Sequence, residues 1–300
     1  MGPGMAIPWR QIDWINLSVL AGVHTLGATA IVLAVLEPPC WPTLALAAIW
    51  GTCCGLAICG GYHRLFAHPT YRGTFLLRAF YLLFGAASVQ NSALKWSSDH
   101  RRHHTFTDDG PDPYNIRRGF WWAHIGWVLV KEPAPADFSN ARDLQADSLV
   151  SLQHRFYVPL ALGVGIVLPA IIAASWGDAL GGLMLAGFLR LALQYHATFS
   201  INSMAHYIGK RPYDPKASAR DSILTALVTF GEGYHNFHHR FPLDYRNGIR
   251  GFHYDPTKWW IWTCERLALA RDLKRTPARL IAQARMAAVS ALAGPVPAST

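Results

Sequence analysis

The chain has 300 residues, 51% of them hydrophobic and only 15% charged, with a net charge of +9. Soluble domains carry about a quarter charged residues, so this balance argues against an ordinary water-soluble enzyme and for a membrane protein. No nucleic-acid-binding motif accompanies the basic excess, and the aromatic residues sit inside apolar runs. That argues against a nucleic-acid partner and leaves an anionic membrane surface or substrate as the counterpart.

Residues 1–13 read as a short cytoplasmic segment; with two prolines before Arg10 they do not form a cleavable signal. Four apolar runs follow, each near the roughly 20 residues a bilayer requires: Trp14–Leu36, Trp41–Tyr62, Phe156–Trp176 and Ala179–Asn202, the last broken only by Arg190. Glu37-Pro38-Pro39 and Gly177-Asp178 connect them in pairs, which predicts two tight helical hairpins. A fifth run, Phe75–Leu94, contains Arg78 and ends in Gln90-Asn91-Ser92. If it crossed the bilayer, the histidines before and after it would lie on opposite faces, so it is expected to be an interfacial or partly inserted helix.

Four spans leave 61–155 and everything from His206 onward on one side. Eleven Lys and Arg fall in the first of these stretches and fourteen in the second, and the two short connectors carry none. The positive-inside rule makes that side, with both termini, cytoplasmic. Arginine outnumbers lysine and alanine is abundant, a composition that points to a bacterial inner membrane. The five cysteines include no C-x-x-C pair and read as small buried hydrophobes. An amphipathic helix is expected over Asp255–Leu273, then a tail, 274–300, disordered from Ala291.

The chemistry lies in histidine spacing. His100, His103 and His104 occupy i, i+3 and i+4, neighbours on one helical face. His235, His238 and His239 repeat the spacing, and His63 and His68 precede both. Five residues turn about 140° on a regular α-helix, so His63 and His68 share a metal only if the helix unwinds, which Pro69 would permit. In the fourth run Arg190, Gln194, Thr198, Asn202 and His206 recur every four residues, a polar stripe aimed at the clusters. Nine imidazoles exceed the need of one metal and imply two, of a kind such as Fe, Cu, Zn or Ni. Asp99 and Glu232 lie beside clusters and could accept the free imidazole N–H. Arg101 and Arg102 read as a solvated face. His24, His124, His154, His196 and His253 belong to no cluster and read as structural.

These residues resemble the membrane fatty acid desaturases, in particular the stearoyl-CoA Δ9 type. The resemblance runs from about Gly60 to Leu273. It rests on His63-Arg64-Leu65-Phe66-Ala67-His68, Asp99-His100-Arg101-Arg102-His103-His104, Asn202-Ser203-Met204-Ala205-His206, Arg211-Pro212-Tyr213-Asp214, Gly231-Glu232-Gly233-Tyr234-His235-Asn236-Phe237-His238-His239 and the segment from Arg117 to Trp127. It implies an all-α integral membrane protein with four transmembrane helices under a cytosolic helical cap, the desaturase domain covering 14–273. It further implies a di-iron centre on His63, His68, His100, His103, His104, His206, His235, His238 and His239, with Asn202 reaching one iron through water. Gln90, Asn91, Trp96, Arg190 and Thr198 match positions that shape a bent acyl tunnel, and Asp99 matches one near the substrate headgroup.

The implied reaction uses O2 to place a cis double bond, at Δ9, in a saturated acyl chain. The acyl-CoA enzymes of the family carry basic residues where this chain has Ser98 and Glu132, so acyl-CoA and acyl-lipid substrates both stand. Membrane lipid surrounds the protein. Electrons are expected from a separate cytochrome b5, ferredoxin or rubredoxin with its reductase. The rivals are a related di-iron hydroxylase of an apolar substrate and a non-catalytic membrane metal-binding protein.

Overall fold

The structure, a computed structural model, describes residues 9–131 and 137–293. Glu132, and the tail beyond 293 with its expected disorder, lie outside the described residues. The chain is mostly helical: α1 (Trp14–Leu36), α2 (Trp41–Ala67), α3 (Phe75–Ala87), α4 (Ala93–Thr105), α5 (Phe120–His124), α6 (Arg142–Gln145), α7 (Ser148–Arg155), α8 (Tyr157–Ala174), α9 (179–202), α10 (Met204–Tyr207), α11 (Ile223–Val228), α12 (His235–Arg240), α13 (Pro256–Arg266) and α14 (Ala278–Ala293).

Local chemistry sets the helix ends. Asp13 accepts the Asn16 N–H at 3.0 Å to start α1, and Glu37-Pro38-Pro39 stops it. Pro42 sits in the first turn of α2, where its missing N–H costs nothing. Asp178 accepts the Gly181 N–H at 3.0 Å to start α9 and takes the Thr43 hydroxyl at 2.5 Å. The Trp176 indole donates to the same hydroxyl at 2.9 Å. The two short connectors therefore meet at one end of the molecule.

Three helices, α1, α2 and α8, are long and apolar enough to cross a membrane. The fourth expected span, α9, is an unbroken helix packed on α1, α2 and α8, but it carries the polar stripe. The fifth run shortens to the thirteen residues of α3, about 20 Å and too short to span. Val89 and Asn91, both with positive φ, end that stretch.

The fold is not purely helical. Past Pro69 the chain runs extended, and Arg72–Gly73 pairs antiparallel with Ala270–Arg271, tying the end of α2 to the segment after α13. Beneath this ribbon a buried core joins α2, α3, α4, α7 and α13 through Tyr62, Tyr81, Leu94, Val150 and Ile261. Its hydroxyls are paired: Gln153 donates to Tyr62 at 2.6 Å, Tyr71 to Tyr81 at 2.9 Å and Trp260 to Tyr81 at 3.0 Å. The core fixes the ends of α2 and α4 that carry the histidines.

Candidate metal centre

His63 and His68 come together without unwinding at Pro69. From Ala57 to Ala67 the second helix widens into a π-helix, and the His68 N–H bonds the His63 carbonyl at 3.1 Å. An i→i+5 helix places residues five apart one above the other. The two rings lie 5.0 Å apart between centroids. Gly61 lets α3 approach here: a Cβ on it would fall 2.5 Å from Tyr81 Cβ.

The nine histidines form two groups. His63, His68, His100, His104 and His238 make one, and His103, His206, His235 and His239 the other; within each, one nitrogen per residue lies within 4.8 Å of all the others. Helix geometry explains the split. On α4 the i, i+4 pair, His100 and His104, goes to the group of five, and His103 turns away to the group of four. On α12 the pair His235 and His239 goes to the group of four and His238 to the group of five. Positions i+3 and i+4 point about 100° apart, so one short helix serves two centres.

Nε2 atoms crowd inward. In the group of five, His63–His238, His68–His100 and His104–His238 are 3.0, 2.8 and 2.9 Å apart. In the group of four, His206–His235, His235–His239 and His103–His239 are 3.1, 3.1 and 3.3 Å apart. Lone pairs this close need a shared proton or a shared cation. Burial first, and neighbouring imidazoles second, hold His68, His100, His104, His206, His238 and His239 well below the usual imidazole range. Burial and the His103 ring bring His235 down to about 3. Neutral imidazoles offer lone pairs, so the donor set fits two transition-metal ions. His104 and His239, one from each group, stack at 4.4 Å and are the two of the nine that are only half-buried.

Each group has a carboxylate behind one imidazole. Glu232 Oε2 lies 2.9 Å from His63 Nδ1, and Asp112 Oδ1 lies 2.9 Å from His103 Nδ1. Either contact leaves Nε2 free for a metal. Glu232 also takes the Arg64 guanidinium at 2.8 Å and the Asn247 amide at 2.6 Å. Arg64, itself buried, reaches Asp255 at 3.0 Å and the Tyr245 carbonyl at 2.9 Å. Burial alone would raise the Glu232 carboxyl, but Arg64 and His63 outweigh it and hold it at about 2. Asp112 is held by a turn: it accepts the N–H of Tyr114 at 3.1 Å and of Asp108 at 3.0 Å. His206 Nδ1 meets the Ser218 hydroxyl at 2.6 Å.

Residues 39–276 match the fatty acid desaturase family. The chain is 42% identical over 279 residues to acyl-CoA desaturase 1 of Saccharomyces cerevisiae, covering 92% of this chain and 54% of that protein. It is 41% identical over 271 residues to a protein of Schizosaccharomyces pombe described as a probable acyl-CoA desaturase, covering 90% and 56%. It is 38% identical over 275 residues to the stearoyl-CoA desaturase of Sus scrofa, covering 89% and 76%. The chain belongs to the fatty acid desaturase family. It spans about half the length of the two fungal relatives.

The remaining expected residues divide. A cavity of about 540 Å³ lies between α2 and α9, walled by Ala47, Gly51, Gly55, Leu189 and Phe230, with Arg190, Gln194 and Thr198 on its polar side. Gln90 donates to Thr198 at 3.0 Å. Arg190 does not snorkel: it is 5% exposed and donates to the carbonyls of Ala186, Ala87 and Gly165 at 3.0, 2.9 and 2.6 Å. The stripe does not run on to His206 along one helix, because α9 ends at Asn202 and Ser203 breaks it before α10. Asn91 and Trp96 do not line the cavity. The Asn91 N–H donates to the Tyr157 hydroxyl at 2.9 Å, and Trp96 stacks on His100 at 5.0 Å. Asp99 pairs with Lys95 at 2.7 Å and Arg102 at 3.2 Å, and Ser98 donates to Asn140 at 2.7 Å.

Two readings need correction. Arg101 is no solvated charge: it donates to the Phe66 and Ala67 carbonyls at 2.8 and 3.0 Å, clamping the negative end of α2 beside His68. His24, His196 and His124 are not isolated. They form a hydrogen-bonded chain at 3.0 and 3.1 Å that ends on the Ser203 hydroxyl at 2.9 Å and joins α1, α9 and α5.

Proposed function

We propose that the chain is an O2-dependent membrane fatty acyl desaturase that places a cis double bond, at Δ9, in a saturated acyl chain. The two-group set of nine histidines, seven of them buried, carries this reading, and the relatives' names, acyl-CoA and stearoyl-CoA desaturase, supply the substrate class. α9 makes a fourth span beside α1, α2 and α8, and 61–155 with the tail forms a cap on the cytoplasmic face. The surrounding membrane is a bacterial inner membrane, on arginine and alanine usage. Electrons come from a one-electron donor.

The group of five would hold one iron and the group of four a second, with Asn202 completing the latter through water. When bound, the two irons supply activation of O2 and removal of one hydrogen from each of two adjacent methylenes. The protein's own work is positioning, because a saturated chain offers no polar handle at the reacting carbons. The acyl chain enters the cavity between α2 and α9. Thr198, Gln194 and Arg190 line its polar side, and hydrogen bonds to Gln90, to Ser88, to one another and to the backbone make them a fixed wall. Burial excludes water from the imidazoles, and Glu232 and Asp112 fix two of the rings.

The test is conversion of a saturated acyl substrate by membranes carrying the protein. His103→Ala and His238→Ala, one from each group, should each abolish unsaturated product while the protein still accumulates. Retained product, or a hydroxylated one, overturns the reading.

A further inference from the structure

A second cleft, of about 440 Å³, lies outside the histidine groups, where α14 packs back on the segment after α12. Three guanidiniums, Arg246, Arg275 and Arg285, share it over an apolar floor that includes Ile249, Ile281 and Ala278. Arg246 pairs with Asp244 at 3.0 Å. No carboxylate pairs with Arg275 or Arg285 among the described residues. Arg275 lies 5.4 Å from the Tyr245 ring and Arg285 5.3 Å from the Tyr213 ring, contacts that orient each guanidinium plane. Three like charges around one cleft, with one carboxylate among them, leave a local excess of positive charge. A planar guanidinium fork matches phosphate oxygens better than any other side chain. α14 also begins at this cleft, so the positive end of its dipole adds to the field.

We infer that this cleft binds a phosphate-bearing anion, with Arg275 and Arg285 as its principal donors. The phosphate can be that of an anionic lipid, whose glycerol would rest on the apolar floor, or a soluble phosphate. The cleft also backs onto the metal centre: Tyr245 gives its carbonyl to Arg64, and Asn247 bonds Glu232. An occupant would therefore brace the segment that supports His63.

The test uses the full chain with its metal bound, in non-ionic detergent at fixed ionic strength. Its thermal midpoint is titrated with inorganic phosphate, with dihexanoyl phosphatidylglycerol, and with dihexanoyl phosphatidylcholine as control. Binding to the folded state alone raises the midpoint. The wild type should rise with phosphatidylglycerol or with phosphate, and Arg275→Gln/Arg285→Gln should need about tenfold more ligand for the same rise. Response to phosphatidylglycerol alone assigns the site to lipid, and equal response to phosphate assigns it to a soluble anion. Both arginines are exposed and outside the metal centre, so the unliganded variant should keep the wild-type midpoint and iron content. An equal response in wild type and variant, a matching response to phosphatidylcholine, or no response overturns the inference.

Discussion

The two histidine groups use the same chemistry and are held in different ways. Behind the group of five stands a fully buried charge network, in which His63, Glu232, Arg64 and Asp255 join α2 to the start of α13. Behind the group of four stands local structure: a turn that aims Asp112 at His103, and one hydroxyl on His206. A long-range network makes one centre depend on the packing of α13 against the end of α2. A local turn lets the other keep its geometry while that packing loosens. Mutations behind the two groups should therefore differ in reach as well as in size.

The largest effect is expected at Arg64. Removing one partner of a buried ion network strands the others, so Arg64→Ala leaves Glu232 and Asp255 facing each other uncompensated. The cost is about 3–5 kcal/mol, read as a lower unfolding midpoint of the purified protein, with metal lost first from the group of five as α13 separates from α2. A wild-type midpoint would show that the network does not join α2 to α13.

Next in size are the two carboxylates. Loss of the group behind a metal-bound imidazole costs about 10–100-fold in metal affinity. Glu232→Gln should lower retention in the group of five and Asp112→Asn in the group of four, each variant falling, on the proposed two-iron loading, towards one metal per chain. Two distinct spectra for the singly loaded proteins would sharpen the contrast. Identical spectra would mean the groups do not load separately.

Glu232 also predicts a pH signature. Its carboxyl, held at about 2 against an ordinary 4.5, favours the folded state when ionised. That stabilisation is fully present above pH 4.5 and is lost as pH falls from there through about 2. In Glu232→Gln the acid limb of the stability profile should flatten in that window. If it does not, another group dominates acid unfolding.

The amino-acid order makes the ligands legible and hides their division. Helical spacing brings His100, His103 and His104 to one end of the molecule, and the hairpin connectors put their partners there too. Which imidazole joins which metal depends on the 100° between i+3 and i+4 acting on two helices at once, a tertiary fact. The π-helix over 57–67 escapes notice because its apolar residues are buried all round and show no period. Asp112 could have been found: an aspartate in the tight turn closing a histidine helix is well placed to reach back. Asp255 could not, since only the packing of α13 on α2 brings it to Arg64. His24 and His196 look isolated because their partner lies on another helix.

The smallest expected effect is also the most discriminating. The Ser218 hydroxyl partners His206 at Nδ1, and one neutral hydrogen bond contributes about 1 kcal/mol. Ser218→Ala should therefore weaken metal binding in the group of four several-fold and leave the group of five and the unfolding midpoint unchanged, while Ser218→Thr should restore binding by returning a hydroxyl. If Ser218→Ala instead lowers both centres together, the group of four is as tightly coupled to the rest of the fold as its neighbour, and the contrast between local and long-range support is lost.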